Sequence, residues 1–119
     1  MFKEITKDNW LLFAQQNYDN PTLEKEEEFY DDIDILICPT AAVSPYPHEQ
    51  LTVEKIDNVE MPTYMRWLAL SYGLTMTLPS VCSIPIGLDH EGMPFGIQIA
   101  GPNGSDGFVL GVAQALERY

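Results

Sequence analysis

Gly92-Met93-Pro94-Phe95-Gly96-Ile97-Gln98-Ile99-Ala100-Gly101-Pro102 is the stretch whose pattern decides the fold. Phe95, Ile97 and Ile99 alternate with Gly96, Gln98 and Ala100, the two-residue period of a strand with distinct faces. Val81 to Ile86 forms a second strand, and Asp89-His90-Glu91-Gly92 joins the two as a turn in which glycine supplies positive φ. Downstream, Asn103-Gly104 makes a tight turn, and Ser105 or Asp106 caps a helix carrying Val109, Val112, Ala113 and Leu116 at helical spacing. Gly111 costs that helix about 1 kcal/mol against alanine, so it is expected to mark close packing.

Working back toward the N-terminus, Thr63 caps a helix through Tyr72 that Gly73 ends. Its run Tyr64-Met65-Arg66-Trp67-Leu68-Ala69-Leu70 is apolar on most sides, which predicts deep burial. Before it, Leu51 to Ile56 and Val59 to Met61 flank Asp57-Asn58, a dipeptide suited to a two-residue hairpin turn. Ile33 to Cys38 is a short aliphatic run stopped by Pro39, which favours a buried strand over a helix. Asp8 caps a first helix to about Tyr18, and Asn20-Pro21 starts a second from Thr22 to about Tyr30. The acidic run Glu24-Lys25-Glu26-Glu27-Glu28 then forms a solvated helix face. With no repeat or domain-splitting linker, residues 1–119 form one α/β domain, a mixed sheet of a few strands packed with helices.

Eighteen Asp and Glu face six Lys and Arg, a formal net charge of −12. That balance argues against nucleic acid or an anionic membrane as partner, because neutralising phosphate needs clustered Lys and Arg. No apolar stretch approaches the roughly 20 residues of a membrane-spanning helix, and Met1 to Gln16 does not have the pattern of a signal peptide. A cytoplasmic setting follows, with Cys38 and Cys82 as buried reduced thiols. The only other soft ligands, His48 and His90, pair with neither thiol, so no metal and no cofactor is expected.

Nucleophilic chemistry is equally poorly supported. Ser44, His48 and Glu49 lie in a proline-rich loop without the strained Gly-x-Ser-x-Gly turn that presents a nucleophile. Gly101-Pro102-Asn103-Gly104-Ser105-Asp106-Gly107 lacks the Gly-Lys-Ser/Thr ending of a phosphate loop, and Asp106 puts a negative charge where phosphate should lie. Asp31 and Asp32 are adjacent and point apart, so they do not make a general acid and base pair.

Two stretches resemble the amidase signature family. Tyr30-Asp31-Asp32-Ile33-Asp34-Ile35-Leu36-Ile37-Cys38-Pro39-Thr40 is similar to its Phe/Tyr-Asp-x-Leu-Leu-x-Pro-Thr strand. Leu78 to Gly87, Gly92 to Pro102, Asp106 and Leu116-Glu117 resemble the family's closing segment, which makes about residues 29–118 similar to the C-terminal part of that fold. Residues 1–28, the N-terminal helices, match loosely. The resemblance implies amide hydrolysis or transfer by a Ser nucleophile, a bridging Ser and a Lys from a Gly- and Ser-rich core. This sequence contains no Gly-Gly-Ser-Ser run, and Lys3, Lys7, Lys25 and Lys55 sit in polar contexts. It therefore implies no catalytic residue here, only Pro39 and Thr40 as walls of a substrate pocket.

Two functions follow as expectations. One is the C-terminal portion of an amidase-like hydrolase, inactive alone, with the core on a separate chain. The other is a non-catalytic interaction or small-ligand module. Both expect a homo-oligomer, because strands taken from a larger sheet leave edges and an apolar face uncovered.

Overall fold

A computed structural model describes residues 28–77 and 79–119 of the chain. In chain order these form β1 (Leu36–Pro39), β2 (Lys55–Ile56), β3 (Val59–Glu60), α1 (Tyr64–Trp67), α2 (Ala69–Gly73), a 3-10 turn (Leu74–Thr77), β4 (Ser80–Leu88), β5 (Pro94–Gly101) and α3 (Asp106–Leu116). The expected helices from Asp8 and Thr22 fall outside the described residues except for a helical turn at 28–30.

The alternating stretch is β5, and it is the middle strand of a three-stranded sheet in the order β1-β5-β4. Both pairings are antiparallel: Leu36 opposes Ala100 on one side, and Ser80 opposes Gly101 on the other. An irregularity between Pro85 and Gly87 bends β4, the usual effect of a bulge on a strand.

Alternation along β5 gives each sheet face its own core. Leu36, Cys38 and Ala100 pack with Leu74 on one face, where Phe29 and Leu70 add partly buried contacts. Ile84 and Ile99 pack with Val109 and Ala113 of α3 on the other, joined by Ile35, Ile37, Cys82, Ile97 and Val112. Helical segments thus cover both faces of the central strand, where Ile99 and Ala100 are each 0% exposed. The α/β class expected from the sequence is the class observed.

The strand expected over Ile33 to Cys38 enters the ladder only at Leu36, and Pro39 joins it rather than stopping it. The reason lies in the register. Thr40 N–H donates to the Gly96 carbonyl at 3.1 Å, so Pro39, opposite Ile97, falls between hydrogen-bonded pairs. A residue there needs no N–H, and proline is tolerated. The short hairpin forms as expected: Asp57 and Asn58 have φ of 49° and 63°, the positive values of a type I′ turn. Its strands shrink to two residues each, closed by an exposed Lys55–Glu60 ion pair at 3.0 Å.

Three local expectations are corrected. The single buried helix from Thr63 to Tyr72 is two short helices broken at Leu68; the second ends at Gly73, and the 3-10 turn follows directly. Neither helix has a fully buried residue, and Tyr64 and Met65 are 57% and 53% exposed. Such a segment is apolar nearly all round, but the sheet lies on one side of it only. Thr63 and Ser105 hold N-cap positions without a side-chain cap bond, and Ser105 Oγ instead donates to the Pro102 carbonyl at 2.6 Å.

Gly111 is the third correction, because a Cβ built there meets nothing within 4 Å. The glycine therefore carries the helix penalty without a packing reason. Gly111→Ala is expected to raise stability by about 1 kcal/mol, measured as a higher urea midpoint at unchanged slope.

Candidate functional site

The site begins where β1 ends. Thr40 is held at three points: its N–H bonds to Gly96, its carbonyl accepts the Ser71 hydroxyl at 2.8 Å, and its Oγ1 packs over the Gly96 backbone. A Cβ at position 96 would come within 2.9 Å of that oxygen and 3.1 Å of the Ile84 carbonyl, so only glycine lets Thr40 lie so close. Gln98, 6% exposed, braces the same corner. Its Nε2 donates to the carbonyls of Pro39 at 3.1 Å and Leu70 at 3.2 Å, tying β5 to the end of β1 and to α2.

From Thr40 the loop runs over the start of β5 and encloses a half-open cleft of about 220 Å³. Thr40 and Ser44 are its polar side, and Val43, Tyr46, Trp67 and Phe95 supply most of its apolar wall. Tyr46 and Tyr64 both meet the Trp67 ring edge to face, at 5.9 Å and 5.7 Å between centroids. Trp67 Nε1 is enclosed and has no hydrogen-bond partner among the described residues.

Asp89 fastens the β4–β5 turn beside this loop. Its Oδ1 accepts the backbone N–H groups of Glu91 and Met93, both at 2.9 Å, and Gly92 follows with φ of 78° as the turn pattern predicts. The neighbouring Ser44 hydroxyl is the largest influence favouring the charged form, followed by the Met93 N–H, and together these hold the Asp89 carboxyl below its usual value of 3.8. No hydrogen bond of ordinary geometry reaches the enclosed Oδ2, so Ser44 acts on it as a nearby dipole.

A lowered folded-state value means the carboxylate stabilises the fold in full above about pH 3.8, and that contribution is lost as pH falls through the lower folded value. Asp89→Asn is therefore expected to flatten the acid limb of a stability–pH profile below about pH 4. An acid limb identical to the parent's would refute the assignment.

Of the residues singled out by sequence, Thr40 lines the cleft, whereas Pro39 does not and contributes only its carbonyl to Gln98. Ser44, His48 and Glu49 do not form a constellation. Ser44 borders Asp89, while His48 and Glu49 are exposed. Asp31, Asp32 and His90 are exposed as well. Cys38 is buried, and desolvation pushes its thiol up to about 11, leaving it unreactive at neutral pH. Cys82, expected to be buried, is only half-buried, because it lies on β4 at the sheet edge. Both thiols are free. Among the described residues no cluster of three or more His, Cys, Asp or Glu could hold a metal ion, and no helix is long and apolar enough to cross a membrane.

The residues that sequence reasoning missed are Gln98, Ser71, Tyr46 and Trp67. Only Gln98 left a signal, as an amide set among the aliphatic residues of a strand.

An antiparallel sheet between helical segments, with a cleft lined by Thr40 and Gly96 at the Pro-Thr end of its first strand, defines the scaffold as α/β. The amidase family profile matches residues 1–110, and the chain belongs to the amidase family. That match reaches through the N-terminal 28 residues, which the motifs alone had matched loosely. The chain is 36% identical over 90 residues to a glutamyl-tRNA(Gln) amidotransferase polypeptide of Acidobacterium capsulatum, covering 74% of this chain and 17% of that protein. It is 29% identical over 118 residues to a fatty acid amide hydrolase of Arabidopsis thaliana, covering 98% of this chain and 19% of that protein. A 2-amino-5-chloromuconic acid deaminase of Comamonas testosteroni is 34% identical over 91 residues, covering 74% of this chain and 18% of its own length. The chain thus spans less than a fifth of the length of these relatives. No solved structure is a significant match.

Proposed function

We propose that this chain is the closing portion of an amidase-type amide hydrolase or transferase and builds one wall of its substrate cleft, while the nucleophilic chemistry lies outside it. The observation that carries this reading is the cleft that opens at Thr40, at the end of the strand where the family resemblance sets a pocket wall. Thr40 is the wall residue itself, and Pro39 acts behind it through the carbonyl that Gln98 holds. The missing Gly-Gly-Ser-Ser run, and a described lysine that is exposed and paired with Glu60, favour a chain inactive alone. This reading places the Gly- and Ser-rich core outside these 119 residues, and a polypeptide carrying that core is the partner it calls for. The free thiols of Cys38 and Cys82 fit the cytoplasmic setting we assign.

The pure chain is expected to turn over none of a panel of small primary and secondary amides. Adding a polypeptide that carries an amidase Gly/Ser-rich core is expected to restore turnover. Hydrolysis by the pure chain that disappears in Ser44→Ala or His48→Ala would overturn the reading.

A second reading, a self-associating module without catalysis, is favoured by the exposed apolar side chains of β4. Ile86 and Leu88 are 52% and 70% exposed on a strand that pairs only with β5 among the described residues. Sedimentation at micromolar concentration is expected to give a homo-oligomer, and a monomer there would remove this reading.

A further inference from the structure

We propose that the cleft bounded by Tyr46, Trp67 and Phe95 binds one compact aromatic ring without negative charge, in preference to a linear aliphatic chain. This deepens the reading that the cleft receives part of an amide substrate, and it rests on that reading for the site.

Size is the first ground. An apolar cavity of about 150 Å³ accepts a benzene molecule, whereas drug-sized ligands occupy pockets of about 300–1,000 Å³. At about 220 Å³ the cleft lies between them, enough for one ring and a small polar group. A long acyl chain would extend into solvent through the open side and bury little more than its first few carbons.

Shape and chemistry narrow the choice. Three aromatic side chains line the cleft, and the Tyr46 and Trp67 rings already stand nearly perpendicular, with 78° between planes. A planar guest can stack on one such ring and meet the other with its edge, a geometry a flexible methylene chain does not exploit. An anionic guest is opposed by the Asp89 carboxylate beside Ser44, and by a chain whose net charge is −12.

The test is a titration of the full chain with three probes: benzamide, hexanamide and benzoate. Calorimetry gives the affinities, and the indole N–H resonance of Trp67 gives the location. The chain has two tryptophans, and the resonance missing in Trp67→Phe is that of Trp67. Benzamide is expected to bind at least about tenfold more tightly than each of the other probes and to shift that resonance. Phe95→Leu, which keeps apolar bulk but loses a ring, is expected to weaken benzamide about threefold to tenfold.

The parent chain's own ranking decides the matter even where a variant fails to fold. Hexanamide or benzoate binding as tightly as benzamide overturns the proposal. So does saturation by benzamide without movement of the Trp67 resonance, or no binding of any probe at about 10 mM. Because binding is read without turnover, it stands even if a Gly/Ser-rich core restores no activity. A reconstituted enzyme that prefers hexanamide would uphold the amidase reading and sink this inference alone.

Discussion

Gln98→Leu is expected to unfold about 2–4 kcal/mol more easily than the parent, read as a lower urea midpoint with an unchanged slope. Gln98 is 6% exposed, so its amide is effectively out of water. The substitution keeps a side chain of similar bulk but removes the donor that serves the Pro39 carbonyl at 3.1 Å and the Leu70 carbonyl at 3.2 Å. Two acceptors in a dry corner then lose this partner, and each buried acceptor left unpaired costs about 1–3 kcal/mol. The added apolar burial of leucine offsets part of that loss. Because Pro39 precedes Thr40, the same change loosens the cleft wall, and benzamide binding should weaken with stability. A loss below about 0.5 kcal/mol would mean that water or a shifted backbone replaces the amide, and that Gln98 does not brace the site.

Ile99→Ala is expected to cost about 3 kcal/mol, within the 2–5 kcal/mol range for truncating a fully buried aliphatic side chain. Ile99 is 0% exposed on the middle strand and packs with Ile84, Val109 and Ala113. Strands flank β5 on both sides and α3 covers this face, so the surrounding structure can collapse only partly into the space left. Leu51→Ala supplies the control, since Leu51 is 86% exposed and its truncation should change stability by no more than about 0.5 kcal/mol. Equal effects at the two positions would contradict the core as described.

Much of the scaffold was legible because local chemistry decides it. The alternation of Ile97 and Ile99 with Gln98 and Ala100 places one pair on the face covered by α3 and the other on the opposite face, as a two-residue period must. Asp57-Asn58 adopts two positive φ values because short polar side chains tolerate them and the twist of a hairpin needs them. Gly92 at φ of 78° closes its turn for the same kind of reason.

The candidate site was legible only at Thr40. Its other members come from distant stretches: Tyr46 from the loop, Trp67 from α1 and Phe95 from β5. None has a spacing relation to the others, so no sequence window contains the cleft. The break at Leu68 is similarly hidden, because Tyr64 to Leu70 has uniform helical chemistry, and the sheet on one side decides which part of it is covered. Gly111 shows the reverse error: a residue suited to close packing faces open space, and nothing local to the sequence distinguishes the two situations.

By itself, the sequence determined the period of β5, the two turns, the acidic balance, and the absence of the family's Gly-Gly-Ser-Ser run from these 119 residues. These depend on residues within a few positions of one another, or on composition alone. Only the tertiary structure decided that Gln98 ties three elements at one corner, that Gly96 makes room for Thr40, and that three aromatic rings enclose a cleft. Hydrogen bonding and packing act over a few ångströms in space, and folding alone sets which distant residues come within that reach.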